Sequence, residues 1–278
     1  MIDEVVFVRH GRTSYNLSRR LQGQIDIPLD AVGRWQADMT AYALAGRYYW
    51  AKVASSVDRA GRVDNADDAG GASADRSAYG SLPPVGRSLR VVSSDLVRAR
   101  QTAEALADAI HVGVRCDARL RERSFGRWEG LTREEVRELD AEAYRSWKAH
   151  SGGERAYGVE DRRDVGRRGA EAVSSLVREH ADDVPTTMVL IGHGSWIVAT
   201  IATLLGLSGE AISAMGAMRN GHWSVMTPTP TNGGGLRWTL EEYNRGPSTD
   251  EDWDNGPSYL RVPGAPLWRP LDATAGRA

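Results

Sequence analysis

Cysteine is nearly missing from this chain: Cys116 stands alone among 278 residues. One thiol excludes an internal disulfide and fits a reducing, cytoplasmic setting. Lysine is almost as scarce, at Lys52 and Lys148 only, so arginine carries nearly all the positive charge. With 35 Lys+Arg against 37 Asp+Glu, the formal net charge is -2. The basic excess of a nucleic-acid-binding surface is absent, so no nucleic-acid partner is expected. Long apolar runs are lacking too. The most apolar stretch, around 196–205, is too short to span a bilayer, which argues against a membrane protein. The opening residues, MIDEVV, are acidic and pass at once into a strand, unlike a secretory signal. A Gly-rich P-loop is missing, which excludes an ATP-driven enzyme. No carboxylate-rich cluster with tight histidine spacing occurs, so the sequence calls for no metal and no other cofactor.

What is present declares itself in residues 4–16, EVVFVRHGRTSYN. Val5 to Val8 form a continuous apolar run, the pattern of a strand buried on both faces. It stops at Arg9 and His10, and Gly11 permits a sharp turn. The two functional side chains therefore fall at the carboxyl end of a central strand, where open α/β sheets bind ligands. Residues 187–194, TMVLIGHG, repeat the device: an apolar run ends in His193 and Gly194, and Ser195 opens an apolar helix.

Between them the chain alternates strands and helices. Asp30 is placed to cap a helix through Val32, Trp35, Met39 and Ala43. LRVVS (89–93) predicts a strand, with Ser94 or Asp95 capping a helix striped by Leu96, Ala99, Ala103, Leu106 and Ile110. Arg98 lies in that helix's first turn, where a cation opposes the dipole and a bound anion would resolve the conflict. A third strand ends near Cys116, which alternation assigns to the core. Glu122 and Glu129 follow in a loop, and Thr132 with Glu135 has the spacing of a capping box. HWSVMTP and LRWTLEEY predict a hairpin. The arginine clusters at 19–20 and 162–168 read as solvated faces, the second meeting a charged substrate if a cap closes over the site. His150 reads as solvated and His222 as structural.

Two stretches stand apart. Residues 53–88, poor in large apolar side chains and without a period, read as a flexible insertion. It follows a helix that runs back from the sheet, which predicts a position remote from His10. Residues 246–278 form a Pro/Gly-rich tail with Trp253, Tyr259 and Trp268.

The repeated βα order implies a largely parallel sheet flanked by helices. Arg9 and His10 fall at the end of one predicted strand, and Arg98, Glu122 and His193 beyond the ends of three others. Two arginines and two histidines form a pocket for a tetrahedral dianion, with the guanidinium groups holding its oxygens. One histidine can attack phosphorus, and a carboxylic acid such as Glu122 can protonate the leaving oxygen.

VRHGRTSYN, SSDLVRARQTAEAL, LRERSFGRWEG and LIGHGSW, in this order, resemble the motifs of the histidine phosphatase superfamily, also called phosphoglycerate mutase-like. The resemblance covers most of 4–245. It implies a three-layer αβα sandwich with a mostly parallel central sheet, a catalytic domain over 1–245 and a small helical cap over 131–185. It makes His10 the phosphorylated nucleophile, Glu122 the proton donor, and Arg9, Arg98 and His193 the phosphate pocket. It puts Asn16, Gln22, Gly23 and Gly194 beside the ligand, and it implies metal-independent chemistry. FGRWEGLT resembles the phosphatase branch, and Arg12 stands where the mutases carry Glu or Gln. Glu122-Arg123 echoes the mutases. The expected function is phosphomonoester hydrolysis of a small phosphorylated metabolite. A cofactor-dependent phosphoglycerate mutase is the alternative, and a non-catalytic binder of phosphorylated ligands a third. The sequence leaves the oligomeric state open.

Overall fold

The computed structural model describes residues 2–50, 88–180 and 185–261. The insertion expected over 53–88 thus lies outside the described residues up to 87, as does the tail beyond 261.

The chain begins with β1 (Ile2–Arg9), a short α1 (Ser14–Leu17) and α2 (Ala31–Ala45). Next come β2 (Ser88–Ser93), α3 (Val97–Ile110) and β3 (Val114–Cys116). Three helices follow: α4 (Arg133–Leu139), α5 (Ala141–Lys148) and α6 (Arg162–Glu179). The chain continues through β4 (Thr186–Gly192), α7 (Gly194–Leu204) and α8 (Gly209–Ala214) to the hairpin β5 (Trp223–Pro230) and β6 (Leu236–Arg245).

The strands form one six-stranded sheet in the order β3-β2-β4-β1-β5-β6. β1, β2, β3 and β4 run parallel, while β5 pairs antiparallel with both β1 and β6. This is the mostly parallel sandwich that the sequence predicts. Alternation along the inner strands divides the core. Val5 and Phe7 of β1 and Met188 and Leu190 of β4 pack with Val173 and Leu176 of α6 and Trp196 and Ile201 of α7. Their neighbours Val6, Val8, Val189 and Ile191 pack on the opposite face with Leu44 of α2 and Ala99, Ala103 and Leu106 of α3. A separate cluster gathers Phe125, Trp128, Val136, Ala143, Trp147 and Val159. Of the stretch 131–185, the part through Val159 therefore packs as its own small unit, whereas α6 is a layer of the sandwich.

Cys116 is exposed, contrary to expectation. β3 is an edge strand paired only with β2, so solvent rather than a neighbouring strand lies beside it. The Arg162 stretch is also not a loose solvated cluster: α6 starts there, with Asp161 as its N-cap. Among the described residues, no helix is long and apolar enough to cross a membrane.

Helix starts show how the fold serves the site. α2, α4, α5 and α6 are capped by their own N-cap side chains, Asp30, Thr132, Asp140 and Asp161. At α3 the expected local cap fails. Leu96 occupies the N-cap position without a side-chain bond, and Asp26 accepts the Val97 N–H at 2.7 Å. Ser94 and Asp95 are engaged elsewhere, Ser94 with His193 and Asp95 with Arg121. α7 has His193 as N-cap, also without a side-chain cap bond; the Glu122 carboxylate takes the N–H groups of Ser195 and Trp196. The two helices that begin at the sheet's carboxyl edge beside the histidines are thus capped by distant acids.

Candidate active site

Register brings the two motif tips together. Arg9 pairs with Gly192 across the β1–β4 ladder, and the His10 N–H donates to the Gly192 carbonyl at 3.0 Å. The next residue on each strand is a histidine, and the His10 and His193 ring centroids lie 5.1 Å apart.

The His10 ring is fixed by its Nδ1, 2.7 Å from the Gly11 carbonyl oxygen. A carbonyl only accepts, so Nδ1 carries the hydrogen and the Nε2 lone pair is left for chemistry. Burial, then the cations of Arg98 and Arg9, push the His10 pKa well below the ordinary histidine value. His193 is displaced the same way, by burial first and then by Arg98. Both rings are therefore neutral near pH 7. His193 holds Ser94 Oγ through Nε2 at 2.8 Å.

Arg98 is fully buried and donates to the carbonyls of Ile25 and Gly23 at 2.8 Å each. Burial lowers its pKa to about 10, with Glu122 and Asp26 opposing the shift. Arg9 bonds the Met218 carbonyl, and burial lowers its pKa too. Among the described residues, three buried nitrogens here have no hydrogen-bond partner: Arg9 Nε, Arg98 Nε and His193 Nδ1. Buried polar groups are rarely left unpaired, and several in one place mark a site built for an anion. Gly194 keeps the approach open, since a Cβ there would stand 3.3 Å from Arg9 Nε.

Glu122 is held at the start of α7. One carboxylate oxygen accepts from Trp196 N at 2.9 Å and Arg123 N at 2.8 Å, the other from Ser195 N at 3.1 Å. Arg168, read as part of a solvated cluster, instead donates to the carbonyls of Arg119, Arg121 and Glu122 and pairs with Glu160. It braces the Glu122 loop.

A cavity of about 460 Å³ joins these groups. Arg9, His10, Asn16, Gln22, Gly23, Arg98, Glu122 and Gly194 all line it, and His193 packs behind His10. The structure therefore brings together every residue singled out from the sequence. Of its outer wall, only the arginine cluster starting at Arg162 was anticipated, as a face that meets substrate if a cap closes. Arg133, Lys148, His150 and Arg162 line the cap side, and Val198, Ile212, Met215 and Met218 line the side opposite. The side chains of Arg133, Lys148 and Arg162 make no hydrogen bond or ion pair among the described residues. His150, expected in solvent, and Arg162, expected to meet substrate only under a closed cap, reach the cavity because the unit around Trp128 and Trp147 leans over it. Burial and the neighbouring Arg123 lower the pKa of Arg162.

Sequence reasoning also missed three supports. Ser94 holds His193. Glu129 accepts from the N–H groups of Gln24 and Phe125 at 3.0 Å each, tying two loops together. Asn220 donates to the His10 carbonyl at 2.9 Å and to Asn16 Oδ1 at 3.2 Å. Only the acidity of Glu129 beside Glu122 offered a signal.

This geometry defines a site for phosphoryl groups, and comparison with known proteins agrees. The profile of the histidine phosphatase superfamily (branch 1) matches residues 5–64 and 79–244, and the chain belongs to that family. It is 32% identical over 256 residues to the glucosyl-3-phosphoglycerate phosphatase of Mycolicibacterium vanbaalenii, covering 87% of this chain and 95% of that one. The solved structure of a mycobacterial glucosyl-3-phosphoglycerate phosphatase in complex with VO3 superposes with a TM-score of 0.64 at 30% identity, covering 87% of this chain and 98% of that one. A protein named probable phosphoglycerate mutase GpmB, from Yersinia enterocolitica, is 30% identical over 208 residues, covering 75% of this chain and 77% of its own. The family, the sandwich and the phosphatase class expected from the motifs are borne out.

Proposed function

We propose that this chain hydrolyses a small phosphomonoester through a phosphohistidine on His10, and that its substrate is of the glucosyl-3-phosphoglycerate type. The observation that carries the reading is the Nδ1 bond to Gly11, which leaves Nε2 as the nucleophile beside two arginines. The Nε2 lone pair attacks phosphorus in line while Arg9 and Arg98 hold the non-bridging oxygens. The bond to the leaving oxygen breaks, and Glu122 is the group that passes that oxygen its proton. Glu122 then takes a proton from water, whose oxygen attacks the phosphohistidine, frees inorganic phosphate and restores the imidazole. The guanidinium groups supply the positive charge that a metal ion would otherwise bring.

The substrate class draws support from the outer wall. A glycerate carries a carboxylate, and Arg133, Lys148 and Arg162 offer cations with no partner among the described residues. The reading assigns catalysis to 1–245, substrate choice to the cap segment and a cytoplasmic setting to the chain, the last on its single cysteine. The second reading, a phosphoglycerate mutase, rests on the Yersinia relative and on Glu122-Arg123.

Assay of the purified chain without added metal separates these readings. Phosphate release from glucosyl-3-phosphoglycerate, with acid-labile label trapped on His10 and lost in His10→Ala, is the expected result. Interconversion of 3- and 2-phosphoglycerate faster than phosphate release would replace hydrolysis by mutase action.

A further inference from the structure

The family match ends at residue 244, yet the segment that follows is tied to the turn that carries His10. Trp253 is buried, with its ring against Trp35 and His222 at centroid distances of 5.1 and 5.4 Å. Its indole Nε1 donates to the Asn220 carbonyl at 2.8 Å, and its own carbonyl accepts from Gln36 Nε2 at 2.7 Å. Both residues so held also grip the 10–12 turn with their side-chain amides, beside Thr102 Oγ1, which accepts the Gly11 N–H at 3.1 Å. Gln36 Oε1 accepts the Arg12 N–H at 2.8 Å. Asn220 Nδ2 donates to the His10 carbonyl at 2.9 Å and to the Gly11 carbonyl at 3.3 Å. The neighbouring Asp254 carbonyl accepts from Arg12 Nη1 at 2.8 Å.

The Gly11 carbonyl is shared. It takes the Asn220 amide and also the His10 Nδ1–H that selects the tautomer and aims the ring. The turn is confined as well, since a Cβ on Gly11 would lie 2.2 Å from the Gly33 carbonyl oxygen. Trp253 therefore fastens, from behind, the two residues whose side-chain amides hold the turn.

We propose that Trp253 is a positioning residue for His10, acting through Asn220 and Gln36 to hold the Gly11 carbonyl where Nδ1 requires it. The proposal rests on His10 as nucleophile. A positional error in a reacting group well below 1 Å is enough to slow a transfer measurably.

The test uses the full chain with Trp253→Phe, which keeps the ring but deletes the N–H to Asn220, and with Trp253→Ala. The readouts are steady-state constants, single-turnover labelling of His10, and inhibition by inorganic phosphate. Trp253→Phe is expected to slow the labelling rate and kcat about 10-fold, with KM and phosphate inhibition changed less than about 2-fold. A merely structural role would lower the labelled fraction and leave the rate constant of labelling unchanged. Labelling at the unmodified rate in Trp253→Phe overturns the proposal, even if Trp253→Ala fails to fold. Absence of label on His10 in the unmodified chain overturns the nucleophile reading instead.

Discussion

The guanidinium of Arg98 donates to the carbonyl of Gly23 at 2.8 Å, across 75 residues of sequence. Arg98 is thus aimed by main chain in the 22–25 loop. Gly23 has φ +51, and a Cβ there would stand 2.0 Å from Glu129 Oε1.

Gly23→Ala is therefore expected to lower stability by at least about 1–2 kcal/mol from the left-handed backbone alone. It should also raise KM, because the loop must shift away from Arg98. Denaturant melts paired with initial rates check both. A variant with unchanged KM would show that the loop does not aim Arg98.

Glu122→Gln should cost about 10²–10⁴ in kcat on alkyl phosphates, the range for a lost general acid. On p-nitrophenyl phosphate, whose leaving group needs no proton, the first step should survive and the second stall. A burst of nitrophenol equal to the enzyme, with label remaining on His10, is the expected signature.

Arg162→Ala should raise KM at least about 10-fold for a phosphate ester bearing a carboxylate, the scale of one lost hydrogen bond to a charged group. For glycerol phosphate, which lacks the carboxylate, KM should change little. Equal effects on both substrates would remove Arg162 from carboxylate recognition.

Acid should destabilise the fold through its buried histidines. Burial, then Arg219, lowers the pKa of His222 from the ordinary 6.5 to about 4. The unfolded chain takes up this proton as pH falls through 6.5, while the folded chain resists until about 4. Stability from His222 is thus whole above pH 6.5 and is lost between 6.5 and about 4. His222→Gln should lose less stability over that window than the unmodified protein, measured by urea midpoints at several pH values. A parallel decline in both would assign the acid sensitivity to other groups.

The strand tips were legible because Val5–Val8 and the run ending at Ile191 are apolar on both faces and each stops at a histidine. Arg98 was legible as a cation at the wrong end of a helix. Other features follow rules that local sequence does not carry. Ser94 and Asp95 have the chemistry of a helix cap, but tertiary partners claim both. Cys116 alternates like a core residue, yet strand order makes β3 an edge. Arg162 and His150 look like surface polar residues until the unit around Trp128 brings them over the cavity. Asn220 and Glu129 bond main chain, which leaves no periodic mark.

The sheet order also bears on synthesis. β4 lies between β2 and β1, although both precede it in the chain. Until residues 186–192 leave the ribosome, β1 has no parallel neighbour, and Val5–Val8 lack the partner that covers their edge. Arrival of that segment brings His193 beside His10 in the same event that closes the gap. Nascent chains halted before it would hold His10 without its surroundings, together with an uncovered apolar edge for chaperones to guard.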